Sequence, residues 1–135
     1  MPRPVPLTPA AFRRLALSLP GAEEAPHFAR TSFRVGGRIF ATMTPAGDEA
    51  MVPVRPPARA LGMLRDAPDV FVDHGGWTRR LGSLGVRLAR ADGALVEALL
   101  REAHARVAAK ARGAPAAGGR ATATSRRPRR GPRRR

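Results

Sequence analysis

The chain has no cysteine, no tyrosine, one tryptophan and, among its 25 basic residues, a single lysine, Lys110. Without cysteine there is no disulfide framework and no thiolate metal site. No apolar run approaches the length needed to span a bilayer, and MPRPVPLTPAAF, with four prolines, lacks the continuous apolar core of a signal peptide. A cytoplasmic, bacterial-type protein is the default expectation. Metal-ligand spacing is also missing: His27, His74 and His104 share neither a helix face at i, i+4 nor a short loop. No Walker spacing surrounds Gly36-Gly37 or Gly75-Gly76. Leu81-Gly82-Ser83-Leu84-Gly85 falls short of a nucleophile elbow by one spacer residue. No catalytic residue, metal or cofactor is expected, and the chain does not read as an enzyme.

What is present is arginine. The formal net charge is +15 over 135 residues. Nine arginines and no acid follow Lys110, which leaves 16 basic and 10 acidic residues in 1–110, a net +6 there and +9 beyond. A GC-rich coding sequence would itself favour arginine over lysine. Residues 111–135 hold no large apolar side chain, so they cannot bury enough surface to offset the entropy of ordering, and a disordered tail is expected there. Residues 1–7 read as a flexible N-terminus and 8–110 as one α+β domain.

Within that domain, Phe12, Leu15, Ala16 and Leu19 lie at i, i+3, i+4, i+7, which predicts a helix over Pro9–Leu19 with Thr8 as N-cap. Pro20-Gly21 ends it, and Glu23, Glu24 and His27 are expected in a loop. Gly36-Gly37 between apolar runs predicts a two-residue hairpin joining Ser32–Val35 to Arg38–Met43, with Val35 opposite Arg38 and Phe33 opposite Phe40. Ala50–Val54 reads as a third strand, placed at an edge or kept short by Pro53. A second helix is expected over Pro57–Arg65, strands near Val70–Val72 and Gly85–Ala89, and a long amphipathic helix over Asp92–Lys110. The expected architecture is a single small α+β domain: an antiparallel sheet of hairpins with three helices packed on it, followed by the disordered basic tail.

Leu19, Pro20, Gly21, Glu24, His27 and the run Phe33-Arg34-Val35-Gly36-Gly37, continued by Ile39, Phe40 and Ala41, resemble the opening of the MmcQ/YjbR family of small bacterial proteins. The resemblance extends from about Thr8 to about Val107. Arg38 stands where the family has lysine, Pro53 where it tends to have lysine, and Gly82-Ser83-Leu84 where it has a gly-trp-thr; Trp77 lies a few residues earlier. The family is described as DNA-binding because its fold is similar to a double-wing transcription-factor domain, so the resemblance implies a DNA-binding role.

Composition points the same way, because arginine neutralises phosphates and releases counterions. The expected phosphate contacts are Arg34 and Arg38 on the hairpin, Arg55 and Arg59 before the second helix, Arg79 and Arg80 after Trp77, and Arg87 and Arg90 near the last strand. In the tail they are Arg126, Arg127, Arg129, Arg130, Arg133, Arg134 and Arg135. DNA is the expected partner, with RNA as an alternative polyanion and no membrane; a monomer is favoured. The competing reading is a protein-interaction or ligand module in which Glu24, His27 and Trp77 line a pocket or hold a loop.

Overall fold

In the computed structural model, which describes residues 6–113, Thr8 starts the first helix: its hydroxyl accepts the Ala11 amide at 3.0 Å. Pro9 occupies the first helical position, where a missing N–H costs nothing. Helix α1 spans Pro9–Leu17, two residues shorter than expected, because the Ser18 hydroxyl donates to the Leu15 carbonyl at 2.7 Å and closes the turn. Leu7, inside the segment expected to be flexible, is tied down by its amide to the Leu88 carbonyl at 3.0 Å.

Six strands form one antiparallel sheet: β1 Glu23–His27, β2 Arg30–Val35, β3 Arg38–Met43, β4 Glu49–Pro53, β5 Phe71–Val72 and β6 Ser83–Arg87, in the order β1-β2-β3-β4-β6-β5. The α+β expectation holds. The remaining helices are α2 Pro57–Asp66, α3 Gly76–Leu81 and α4 Gly93–Gly113. The short α3 was not expected, and α4 runs three residues past Lys110, so Ala111, Arg112 and Gly113 belong to the helix and not to the tail. The last strand ends at Arg87, where a 3-10 turn over Leu88–Arg90 takes over.

Three further differences carry physical content. Glu23–His27 is a strand, not a loop: it pairs with β2 from Glu23 opposite Arg34 to His27 opposite Arg30. Its backbone ladder, on an edge that tolerates Pro26, replaces the strand propensity that its side chains lack. Phe33 faces Ala41, not Phe40, because a bulge follows the tight hairpin; Gly36 and Gly37 have φ of 59° and 78°, and Val35 does face Arg38. Both Phe33 and Phe40 are still fully buried. Pro53 lies on a central strand, not an edge. The Val54 amide donates to the Gly82 carbonyl at 2.8 Å, and since successive strand amides alternate sides, the Pro53 nitrogen faces β3. There β3 and β4 have already parted, keeping only Thr42 opposite Met51 and Met43 opposite Ala50. The ladder thus ends at Met51, and the next β4 residue whose nitrogen faces β3 is the proline, with no N–H to give.

The core lies between the sheet and α1 and α4. Phe12 meets Phe33 edge-on at 5.7 Å and Phe40 meets the His104 ring at 5.3 Å. Val52, Leu84 and Val86 from the strands and Val96, Leu99 and Leu100 from α4 are buried. The His104 ring nitrogen donates to the Pro20 carbonyl at 2.7 Å, which ties α4 to the turn after α1. Among the described residues, no helix is long and apolar enough to cross a membrane.

Phe28, in the β1–β2 turn, is an L-residue at φ 57° whose side chain is 94% exposed. A left-handed backbone at a bulky residue costs about 1–2 kcal/mol, and asparagine tolerates it. Allowing for the lost His27 ring contact, Phe28→Asn is expected to raise unfolding free energy by about 0.5–1 kcal/mol in a denaturant titration. An unchanged or lower midpoint would mean that the exposed ring stabilises more than its backbone costs.

Candidate anion-binding cleft

The parting of β3 and β4 leaves the Pro53 carbonyl without a strand partner. Helix α4 supplies one: the half-buried Arg106 guanidinium donates to it at 3.1 Å. One turn further along α4 is Lys110, exposed; Arg38 opens β3 and Arg55 follows β4, both exposed. Arg38, Arg55, Arg106 and Lys110 thus surround one cleft of about 310 Å³, walled by Ile39, Pro53 and Val107 and lined by no acidic residue. Arg55 is held at the mouth by donating to the Leu81 carbonyl. Burial and the neighbouring Arg55 charge both push the Arg106 pKa below the ordinary arginine value, while Glu102 pulls it up. Glu102 is itself engaged by Arg59 at 2.5 Å. Two guanidinium groups therefore sit close together with no carboxylate between them, an arrangement that an oxyanion relieves.

The other expected phosphate contacts are not gathered there. Arg34 donates to the Ser32 hydroxyl at 3.0 Å. Arg79 pairs with Asp73 at 3.3 Å and Arg90 with Asp69 at 4.0 Å. Arg87 donates to the Pro68 and Phe71 carbonyls at 3.1 and 3.4 Å, and Arg80 lies over Gly76. Arg126, Arg127, Arg129, Arg130, Arg133, Arg134 and Arg135 lie outside the described residues. Arg106 is absent from the expected contacts, and Lys110 is expected only as the last residue of the long helix. Their i, i+4 spacing, flanking Val107, was the available signal.

Glu24, His27 and Trp77 do not form one pocket. Glu24 pairs with Arg13 of α1 at 2.5 Å, whereas His27, three strand positions on, points to the opposite face of the sheet and packs against Phe28. Trp77 stands 65% exposed on α3, which packs on α2 and β6 away from the β1 edge. The cavity beside Glu24, about 600 Å³, is lined by Arg13, Pro26, Phe28, Arg30 and Pro45 and by neither His27 nor Trp77. His74 pairs with Glu49 at 2.8 Å, not with Asp73. That pair stands over Gly85, where a Cβ would come within 2.7 Å of the imidazole and 2.9 Å of the carboxylate. Among the described residues, no three acidic or histidine side chains stand together to hold a metal ion.

A family model described as YjbR matches residues 17–106. The chain is similar to the crystal structure of the Deinococcus radiodurans protein DR2400, which carries a DUF419 domain. The two share 22% identity with a TM-score of 0.62, over 74% of this chain and 78% of that one. That identity level speaks to the fold alone. No curated protein matches the chain.

The Arg59 hydrogen bond holds the Glu102 carboxyl below the ordinary value of 4.5. Because the folded value is depressed, the ion pair contributes above the unfolded pKa and is lost as pH falls through the folded one. In a carboxylate NMR titration Glu102 is expected to titrate below 4.5, and Arg59→Gln to move it upward. A midpoint indifferent to Arg59 would mean that the pair does not persist in solution.

Proposed function

This chain belongs to the YjbR family, and from that premise we propose that it binds DNA through the phosphate backbone, as a binding protein and not an enzyme. The observation that carries the reading is the acid-free cleft with its four cations. Arginine presents a planar fork that matches two phosphate oxygens, and lysine adds a mobile point charge. The hairpin places Arg38 at the rim, so a strand's backbone can be met from the β-hairpin and from α4 together. Arg59, Arg79 and Arg90 would have to leave carboxylates to join it, and Arg34 and Arg87 hold neutral partners away from the cleft, so they are secondary contacts in this reading. The arginines beyond Gly113 add sequence-independent affinity by charge alone. Nothing in the reading requires base recognition.

A second reading, a ligand-binding module whose folded body has no DNA role, has one observation in its favour: the cleft is a concavity that adjoins an apolar trough, and not a flat basic face.

Duplex-DNA binding by fluorescence anisotropy, titrated over salt, tests the first. A chain ending at Gly113 loses eight arginines and is expected to bind more weakly, with a shallower salt slope. In the full chain, Arg38→Gln with Lys110→Gln is expected to lower the slope of log affinity against log salt by about two units. If that double variant binds as the parent does, the DNA affinity resides in the tail and the body is not a DNA binder.

A further inference from the structure

We propose that the cationic cleft and the trough beside it form one site for a phosphate monoester carried on a compact apolar or aromatic body, the chemistry of a mononucleotide. The proposal shares its cations with the DNA reading but needs no polymer.

The two concavities share Ile39, Pro53 and Arg55, so they adjoin at the place where β3 leaves β4. Beyond that junction the trough, about 230 Å³, is walled by Phe40, Met51 and Leu81, with Thr42 and Ser83 at its margin. Arg55 is the one charged residue lining it. A bound molecule would therefore meet four cations at one end and an almost uncharged surface at the other. That polarity matches a charged head on an uncharged body.

The charge of the head follows from the cleft. Arg55 and Arg106 face the same space, Lys110 and Arg38 close it, and the nearest carboxylate on α4, Glu102, is bound to Arg59. An anion of charge near two compensates such a cluster better than the single charge of a diester, and an ester phosphate carries about that charge at neutral pH. Shape agrees. A duplex displays its phosphates on a convex surface, while Arg106 lies half-buried with its guanidinium turned to the Pro53 carbonyl. A terminal or free phosphate can descend to it between the strand end and the helix. The rigid walls are strand and helix backbone, which pre-organise the site.

Two sources share this chemistry, a free mononucleotide and the 5′-phosphorylated end of a nucleic-acid strand. Calorimetric titration of the full chain with adenosine 5′-monophosphate, adenosine and inorganic phosphate is the test, followed by displacement with single strands bearing a 5′-phosphate or a 5′-hydroxyl. The monophosphate is expected to bind about tenfold tighter than inorganic phosphate, with adenosine weaker than both. Lys110→Gln and Arg38→Gln, both exposed positions, should each weaken it several-fold. Leu81→Gln, at a residue 43% exposed, should lower the ratio of monophosphate to phosphate affinity.

Displacement by the 5′-phosphorylated strand alone would support the site and name the strand end as its source. A monophosphate that binds but is displaced by neither strand would support the site with a free nucleotide as source. Equal affinity for monophosphate and phosphate, or indifference to Leu81→Gln, overturns the proposal. Salt-dependent DNA binding without any monophosphate binding or end preference overturns it while the DNA reading stands. Monophosphate binding without duplex binding does the reverse.

Discussion

A strand residue that cannot donate a hydrogen bond decides where this sheet opens. Pro53 faces β3 with no N–H to offer, so the β3–β4 ladder has nothing to continue on. The bulge in the β2–β3 pairing bends β3 away at the same level. One backbone acceptor, the Pro53 carbonyl, is left facing the gap. A buried carbonyl without a partner costs about 1–3 kcal/mol, and the partner it obtains is the Arg106 guanidinium at 3.1 Å. The backbone thus draws a charged group into a partly dry place. Arg55, carried by the loop that leaves the same strand, is brought beside it. The cleft is the consequence of a proline in a central strand; its charge is the consequence of how that strand's last acceptor is satisfied.

Much of the frame was legible. Thr8-Pro9 marks a helix start by capping chemistry, Gly36-Gly37 marks a hairpin by its positive φ, and the apolar face of α4 is written in its periodicity. The rest failed for identifiable reasons. Glu-Glu-Ala-Pro-His has poor strand propensity, and it becomes β1 only because β2 offers an unpaired edge; tertiary pairing overrides the local preference. The bulge that moves Phe33 from Phe40 to Ala41 leaves no mark in an alternating pattern. Pro53 was read by a sound rule, that proline avoids central strands, but the rule concerns the missing ladder bond, and here the strand stays central through its β6 pairing while the β3 ladder ends before the proline. The cleft was half legible: Arg38 and Arg55 were named as anion contacts, while Arg106 was hidden by abundance. Where almost every basic residue is arginine, sequence alone does not distinguish a free guanidinium from one engaged in a carbonyl or an ion pair.

That sorting changes what net charge means for this fold. Arg59, Arg79 and Arg90 answer carboxylates, Arg87 answers two carbonyls, and Arg34 answers a hydroxyl. These contacts are largely exposed and individually weak. They nevertheless set a preference: an incoming phosphate gains most where no acid competes for the cations. Charge counted over the sequence predicts a polyanion binder of any kind. Charge placed among the described residues singles out the acid-free cleft with four cations.

The root of the basic tail lies beside that same cleft. Lys110 is on its rim, and Gly113, where the described chain ends, is only about one helical turn further on. The hairpin tip closes over this end of α4: a Cβ on Gly36 would lie 2.6 Å from the Ala111 methyl. The tail cannot serve as the cleft's own occupant, because both are cationic and the tail has no acid to offer. In the proposed DNA-binding reading, the arginines beyond Gly113 raise the effective concentration of a nucleic acid at the cleft. In that reading, sequence-independent capture by charge and a phosphate seat in the fold are two stages of one interaction that meet at the end of α4.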